Sequence, residues 1–322
     1  MKYTKEWKEI PLSGEFDWAG YHWIIPAVYS CKKGLVVDFC MRVETEKIRI
    51  FMEKWNLSAE NDDCDHFTSE QQQMIELENP LCFHFNPKLE LSGKTLRAAH
   101  GGSNCFNPCL EEGGSNDPEM KQIMEHYELD PSYGWVVWRK AFPRPGKCHL
   151  KIADLSLTMD QQPDWMPGPH FKAKDPGDRF VFSHPVSGEN YTLTVQALEQ
   201  KILPRDQDCF EGWIYPNHFM IMSYTLSPDP GEQVIIRDLA KSDSPIKIFN
   251  SKSKRGACCI GIIGGADGPT VMAGKDPESE LHTAYSSLHF EPILDSVEWG
   301  IMFRIRRFKE ETFSHALRKN GR

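Results

Sequence analysis

The chain has 322 residues, of which 40% are apolar and 26% charged, with a formal net charge of −9. This length favours two domains while leaving one large β architecture open, and the apolar share is too high for a disordered chain. The acidic balance excludes a general nucleic-acid binder, which needs a basic stripe, and no run approaches the roughly 20 apolar residues of a membrane helix.

In chain order, residues 22–29 read as the first strand. Val37, Phe39, Met41 and Val43 then alternate with Asp38, Cys40 and Arg42, the period-2 mark of a half-buried strand. Ile48, Phe51, Met52 and Trp55 fall at i, i+3, i+4 and i+7, which predicts a helix over about residues 45–55. Thr68 and Gln71 form a capping box for a short helix through Ile75. Strands at 88–91 and 94–98 flank Ser92-Gly93, a tight hairpin turn. Asp117-Pro118 is an N-cap and first-turn pair, and Met120, Met124 and Tyr127 give that helix its core face. Further strands are expected at 133–142, 149–157, 179–184, 191–198, 218–226, 233–237 and 246–249, with a longer hairpin loop at 185–190. The last begins at Val297 and alternates through Trp299, Ile301, Phe303 and Ile305.

The three helices all fall early and the strands are joined by turns. The expected fold is therefore mainly β: an antiparallel sandwich or partly open barrel with a few short helices in the N-terminal part. A mixed α+β part over 1–130 would precede an all-β part over 131–322. The N-terminus, MKYTKEWKEI, has no apolar h-region, so the expectation is a cytoplasmic protein with no membrane insertion. In a reducing compartment its 10 cysteines act mostly as small buried hydrophobes. Arg304, Arg306, Arg307, Lys309, Arg318, Lys319 and Arg322 cluster near the end, interrupted by Glu310 and Glu311. They read as a solvated segment rather than a nucleic-acid site.

One motif is sharp. Ile260-Gly261-Ile262-Ile263-Gly264-Gly265-Ala266-Asp267-Gly268-Pro269-Thr270 is an apolar run entering a glycine-rich loop. Its candidate ligand-binding residues are Gly264, Gly265, Asp267, Gly268 and Thr270. Backbone carbonyls, a carboxylate and a hydroxyl suit a small hard cation, whereas successive glycine amides suit an anion. Good turn chemistry accounts for the same residues without any ligand. The segment resembles the signature loop of the β subunit of sodium-translocating decarboxylases of the oxaloacetate type. The resemblance implies Asp267 and Thr270 as cation ligands; it covers only this short segment and none of that family's membrane helices. A wider pattern is similar to an uncharacterised family of clostridial-type bacterial proteins. It comprises Tyr191-Thr192-Leu193-Thr194-Val195, Met222-Ser223-Tyr224-Thr225-Leu226-Ser227-Pro228, the glycine loop and Leu288-His289-Phe290-Glu291-Pro292. It implies a bacterial cytosolic protein and no particular activity.

A second set of candidates is the Cys/His-rich first half. Cys82 and His84 share one face of a strand, and His100, Cys105 and Cys109 follow as further metal candidates, although the spacings match no zinc finger or ribbon. Neither a nucleophile elbow nor a His-Glu-x-x-His motif is present. Trp135 and Trp138 have odd spacing and point to opposite strand faces, which reads as core packing rather than a sugar platform. The leading reading is a non-enzymatic binding or interaction protein taking a small ligand or protein partner. The alternatives are a metal-assisted hydrolase and a soluble accessory of a sodium-pump decarboxylase.

Overall fold

The computed structural model describes residues 8–31, 33–58, 67–91, 93–110, 117–143, 155–204, 213–247 and 281–313. They form a mainly β protein of several antiparallel sheets with three short α-helices, and none of the described sheets closes into a barrel. No described helix is long and apolar enough to cross a membrane. The chain divides into two compact units, one of residues 1–66, 75–164 and 306–322, the other of 67–74 and 165–305.

The first unit holds β1 (Lys8–Trp18), β2 (Tyr21–Cys31), β3 (Gly34–Val43), α1 (Thr45–Trp55), the end of α2 (Ser69–Glu78), β4 (Lys88–Leu91), β5 (Lys94–Arg97), β6 (His100–Phe106), α3 (Pro118–His126), β7 (Gly134–Pro143) and β8 (Leu155–Met159). The second holds β9 (Asp164–Lys172), β10 (Arg179–Ser183), β11 (Asn190–Ile202), β12 (Trp213–Ile214), β13 (His218–Ser227), β14 (Val234–Asp238), β15 (Ile246–Lys247), β16 (His282–Tyr285) and β17 (Glu298–Ile305). The chain then re-enters the first unit as β18 (Glu311–Phe313).

In the first unit, a five-stranded sheet in the order β1-β2-β3-β7-β6 and a four-stranded sheet in the order β18-β8-β4-β5 share one apolar core. This is the sandwich that the sequence suggests. Trp23, fully buried, lies at its centre: its ring centroid is 5.4 Å from that of Trp138, 5.1 Å from Phe85 and 5.8 Å from both Phe83 and Trp18. Trp138 packs in this core and Trp135 in a second one on the opposite face, beneath α3, as their odd spacing requires.

Residue 130, where the sequence suggests a boundary, falls inside the first unit, because β7 pairs along its whole length with β3. Strands on either side of residue 130 thus belong to one sheet. The half-buried reading of β3 also needs correction. Its period of two holds, but Asp38 and Cys40 on the supposedly wet face are fully buried. The strand is interior to the sheet, and α3 covers its outer face with Met120 and Met124. Burial on both faces recurs in β17, where Gly300 and Met302 are buried between the alternating apolar residues.

The starts of α2 and α3 form as their sequences dictate. Thr68 donates its amide to Gln71 Oε1 at 2.8 Å while its Oγ1 accepts from the Gln71 amide at 3.2 Å, a reciprocal capping box. Asp117 Oδ1 accepts from the Glu119 amide at 2.9 Å at the head of α3. Asp117→Ala is expected to cost about 1 kcal/mol in a urea melt, with Asp117→Ser close to wild type. Equal melts for the two variants would remove the cap from the account. Between β4 and β5, Gly93 takes a φ of 72°, a left-handed turn conformation that glycine adopts without strain.

The second unit contains a four-stranded sheet, β10-β11-β13-β16, a three-stranded sheet, β14-β17-β9, and the short pair β12-β15. Leu193, Val195, Met222, Trp299, Ile301 and Phe303 are among its buried side chains. The basic cluster is partly neutralised where it is described: Arg306 and Arg307 face Asp160 and Asp164 at 3.1 and 3.0 Å.

Candidate functional site

The outer face of the five-stranded sheet carries a polar network and, beside it, a groove. Asp38 on β3 stands directly opposite Arg139 on β7 in the strand register. The guanidinium reaches across with two hydrogen bonds, Nε to Oδ1 at 2.7 Å and Nη2 to Oδ2 at 2.6 Å, the forked geometry that makes such pairs strong. The Tyr127 hydroxyl donates to Asp38 Oδ2 at 2.6 Å and lies 2.7 Å from the Tyr29 hydroxyl. Burial, reinforced by the Asp38 charge, pushes the Tyr127 hydroxyl far up, so it stays a donor. Burial first and Asp38 second also hold the Cys40 thiol well above its usual range, which makes it unreactive.

The groove lies along one side of α3, where Glu119 and Ile123 line it. The helix crosses the strands rather than following them: it packs against β6, and at its C-terminal end His126 bonds Glu9 of β1 at 3.0 Å. The helix covers Cys40, Phe106, Trp135 and Val137 and leaves the far ends of β3 and β7 open. The opening measures about 660 Å³. Val36, Val137 and Ala141 form its floor, Ile123 of α3 closes one side, and Arg139 is part of the lining. The rest of the rim includes the edge strand β6 and the charged residues Lys33 and Glu119. His100, Gly102 and Asn104 of β6 stand opposite Ala141, Arg139 and Val137 in register, so these three share the groove face. Gly101, on the other face, is required by close approach: a Cβ there would collide with the Arg139 carbonyl and the Lys140 side chain. The volume and the mainly apolar lining with a few polar groups are those of small-molecule sites.

The Cys/His candidates separate. Pro80 follows α2, and the Cys82 amide bonds to the Asn79 carbonyl at 2.9 Å, turning the chain back into an extended run. Phe83 and Phe85 of that run enter the core, so Cys82 and His84 fall on its other face. The last turn of α2 adds Glu76, and the ligating atoms of Glu76, Cys82 and His84 all lie within 4.8 Å of one another. Burial, with Glu76 as the next cause, raises the Cys82 thiol to about 11. His100 instead lines the groove, Cys105 lies on β6, and the Cys109 thiol is 3.8 Å from the Thr45 carbonyl. Cys40, Cys82, Cys105 and Cys109 are free thiols. The sequence points to Cys82 and His84 by their alternation and misses Glu76, which arrives from a helix across a turn. The loop residues Gly264, Gly265, Asp267, Gly268 and Thr270 lie outside the described residues.

Comparison with protein-family models, with curated proteins and with solved structures finds no match to this chain.

Proposed function

We propose that the first unit is a binding module and that its groove takes one small, largely apolar molecule with a single polar end. The observation that carries this reading is the 660 Å³ opening with an apolar floor and a few polar groups at its rim, His100 and Asn104 of β6 together with Lys33, Glu119 and Arg139. The apolar body lies on Val36, Val137 and Ala141, and the polar end meets His100 and Asn104. Nothing in this reading calls for a reaction. The Asp38–Arg139 pair is a rigid support whose charges satisfy each other.

The test uses 8-anilinonaphthalene-1-sulfonate, an aromatic probe with one charged end, in calorimetric titration of the native protein. Saturable binding of one equivalent is expected. Gly102 is exposed on the edge strand, and a Cβ there would meet nothing within 4 Å. Gly102→Trp therefore fills the groove without entering the core. It should weaken the probe more than about tenfold, some 1.4 kcal/mol. Unchanged binding by Gly102→Trp, or uptake that never saturates, would sink the reading.

A further inference from the structure

We infer that Glu76, Cys82 and His84 form a binding site for a borderline divalent metal ion, zinc in the first instance, with one coordination position left to solvent. This site is separate from the groove, and neither proposal depends on the other.

The donor set is chemically selective. One sulfur, one imidazole nitrogen and one carboxylate oxygen are ligands that zinc takes, whereas calcium and magnesium need oxygens throughout. The spacing is close to what is required. Zn–S of about 2.3 Å and Zn–N or Zn–O of about 2.1 Å place tetrahedral ligand atoms roughly 3.4–3.7 Å apart. The three atoms here already lie within 4.8 Å, so side-chain movements of about 1 Å close the site.

The charges balance as well. A carboxylate, a thiolate and a neutral imidazole together offset a divalent cation. Glu76 also sits in the last turn of α2, where the helix dipole is negative and no basic residue is present. An acid there is unfavourable, and a bound cation removes the conflict. The placement is supported from below and accessible from above. Phe83 and Phe85 are anchored in the core at 4% and 1% exposure, which fixes the segment that carries Cys82 and His84. Glu76 and His84 are exposed and Cys82 is half-buried, leaving an approach from solvent. Cys82 also lines a small recess of about 220 Å³ with Arg307 and Phe308. Three protein ligands with a fourth position open is the pattern of a reactive rather than a closed structural zinc.

On metal binding the Cys82 proton leaves as the metal–sulfur bond forms, so loading releases a proton to buffer and involves no change in oxidation state. The experiment is titration of the reduced, metal-free protein with cobalt(II), a spectroscopic substitute for zinc. One equivalent should develop a thiolate-to-cobalt charge-transfer band together with the intense visible absorption of tetrahedral cobalt, and zinc should bleach both. Cys82→Ser should abolish the charge-transfer band. Glu76→Gln and His84→Ala, both on the surface, should each weaken cobalt by more than about tenfold, because loss even of outer-shell partners costs roughly 10–100-fold. Cys105→Ser and Cys109→Ser should leave the titration unchanged, and circular dichroism confirms the fold of each variant. Absence of the band in the wild-type protein overturns the proposal. So does a band that survives Cys82→Ser, or one indifferent to both Glu76→Gln and His84→Ala.

Discussion

Replacing Asp38 by alanine is expected to destabilise the first unit by about 3–5 kcal/mol, the usual cost of breaking a buried ion pair from one side. Asp38 is fully buried, and the Arg139 side chain is only 18% exposed. Truncation strands the guanidinium beside an empty space and deprives the Tyr127 hydroxyl of its acceptor. Much of the loss belongs to the orphaned charge rather than to the pair. The double variant Asp38→Leu with Arg139→Met should therefore recover much of the stability, since apolar replacement of both partners is often neutral or better. Chemical denaturation of the wild type and both variants measures this. A single variant within about 1 kcal/mol of wild type, or a double variant no more stable than the single one, contradicts this account of the network.

Trp23→Ala should have a comparable effect, about 3–5 kcal/mol, for a different reason. The indole is fully buried among Trp18, Phe83, Phe85 and Trp138, and its Nε1 donates to the Trp18 carbonyl at 3.1 Å. Alanine leaves a cavity that the surrounding rigid rings cannot close, and it removes that hydrogen bond. Trp23→Phe retains most of the packing and should cost clearly less. Loss of the near-ultraviolet dichroism of the aromatic cluster would accompany the alanine variant. Equal midpoints for the alanine and phenylalanine variants would show that ring packing is not what the site requires.

Much of the fold is legible in the sequence because local chemistry and tertiary demand agree. The i, i+3, i+4, i+7 stripe from Ile48 to Trp55 marks α1, and the Thr68 and Asp117 caps mark α2 and α3. Three of the longer strands escape a sequence reading for one physical reason. β1 carries Pro11 and Gly14, β6 carries Gly101 and Gly102, and β9 carries Pro167, Gly168 and Pro169. All read as breakers, yet all three strands are sheet edges, where one side of the backbone needs no partner and such residues are tolerated. Position in the sheet, not local preference, makes them strands. The burial of Asp38 is hidden for a related reason: its partner Arg139 is 101 residues away. The groove is not legible at all, because α3, β6 and the ends of β3 and β7 line it from separate stretches of the chain. Of the Glu76, Cys82 and His84 cluster, the period-2 pair Cys82 and His84 can be read, whereas Glu76 depends on the turn at Pro80.

The division of the chain also sets an order of events during synthesis. The four-stranded sheet of the first unit gains its last strand only when β18 pairs with β8, with Phe313 opposite Leu157 in register. Phe313 then packs against Phe16, ring centroids 4.3 Å apart. Residues 165–305 are made in between, which takes the ribosome roughly 7 to 30 s at about 5–20 residues per second. Through that interval the first unit waits with one flank of β8 unpaired and part of its core uncovered. The second unit has its final strand, β17, in hand before β18 emerges. The nascent first unit is therefore the one exposed to aggregation, although its first residues are the earliest to leave the ribosome.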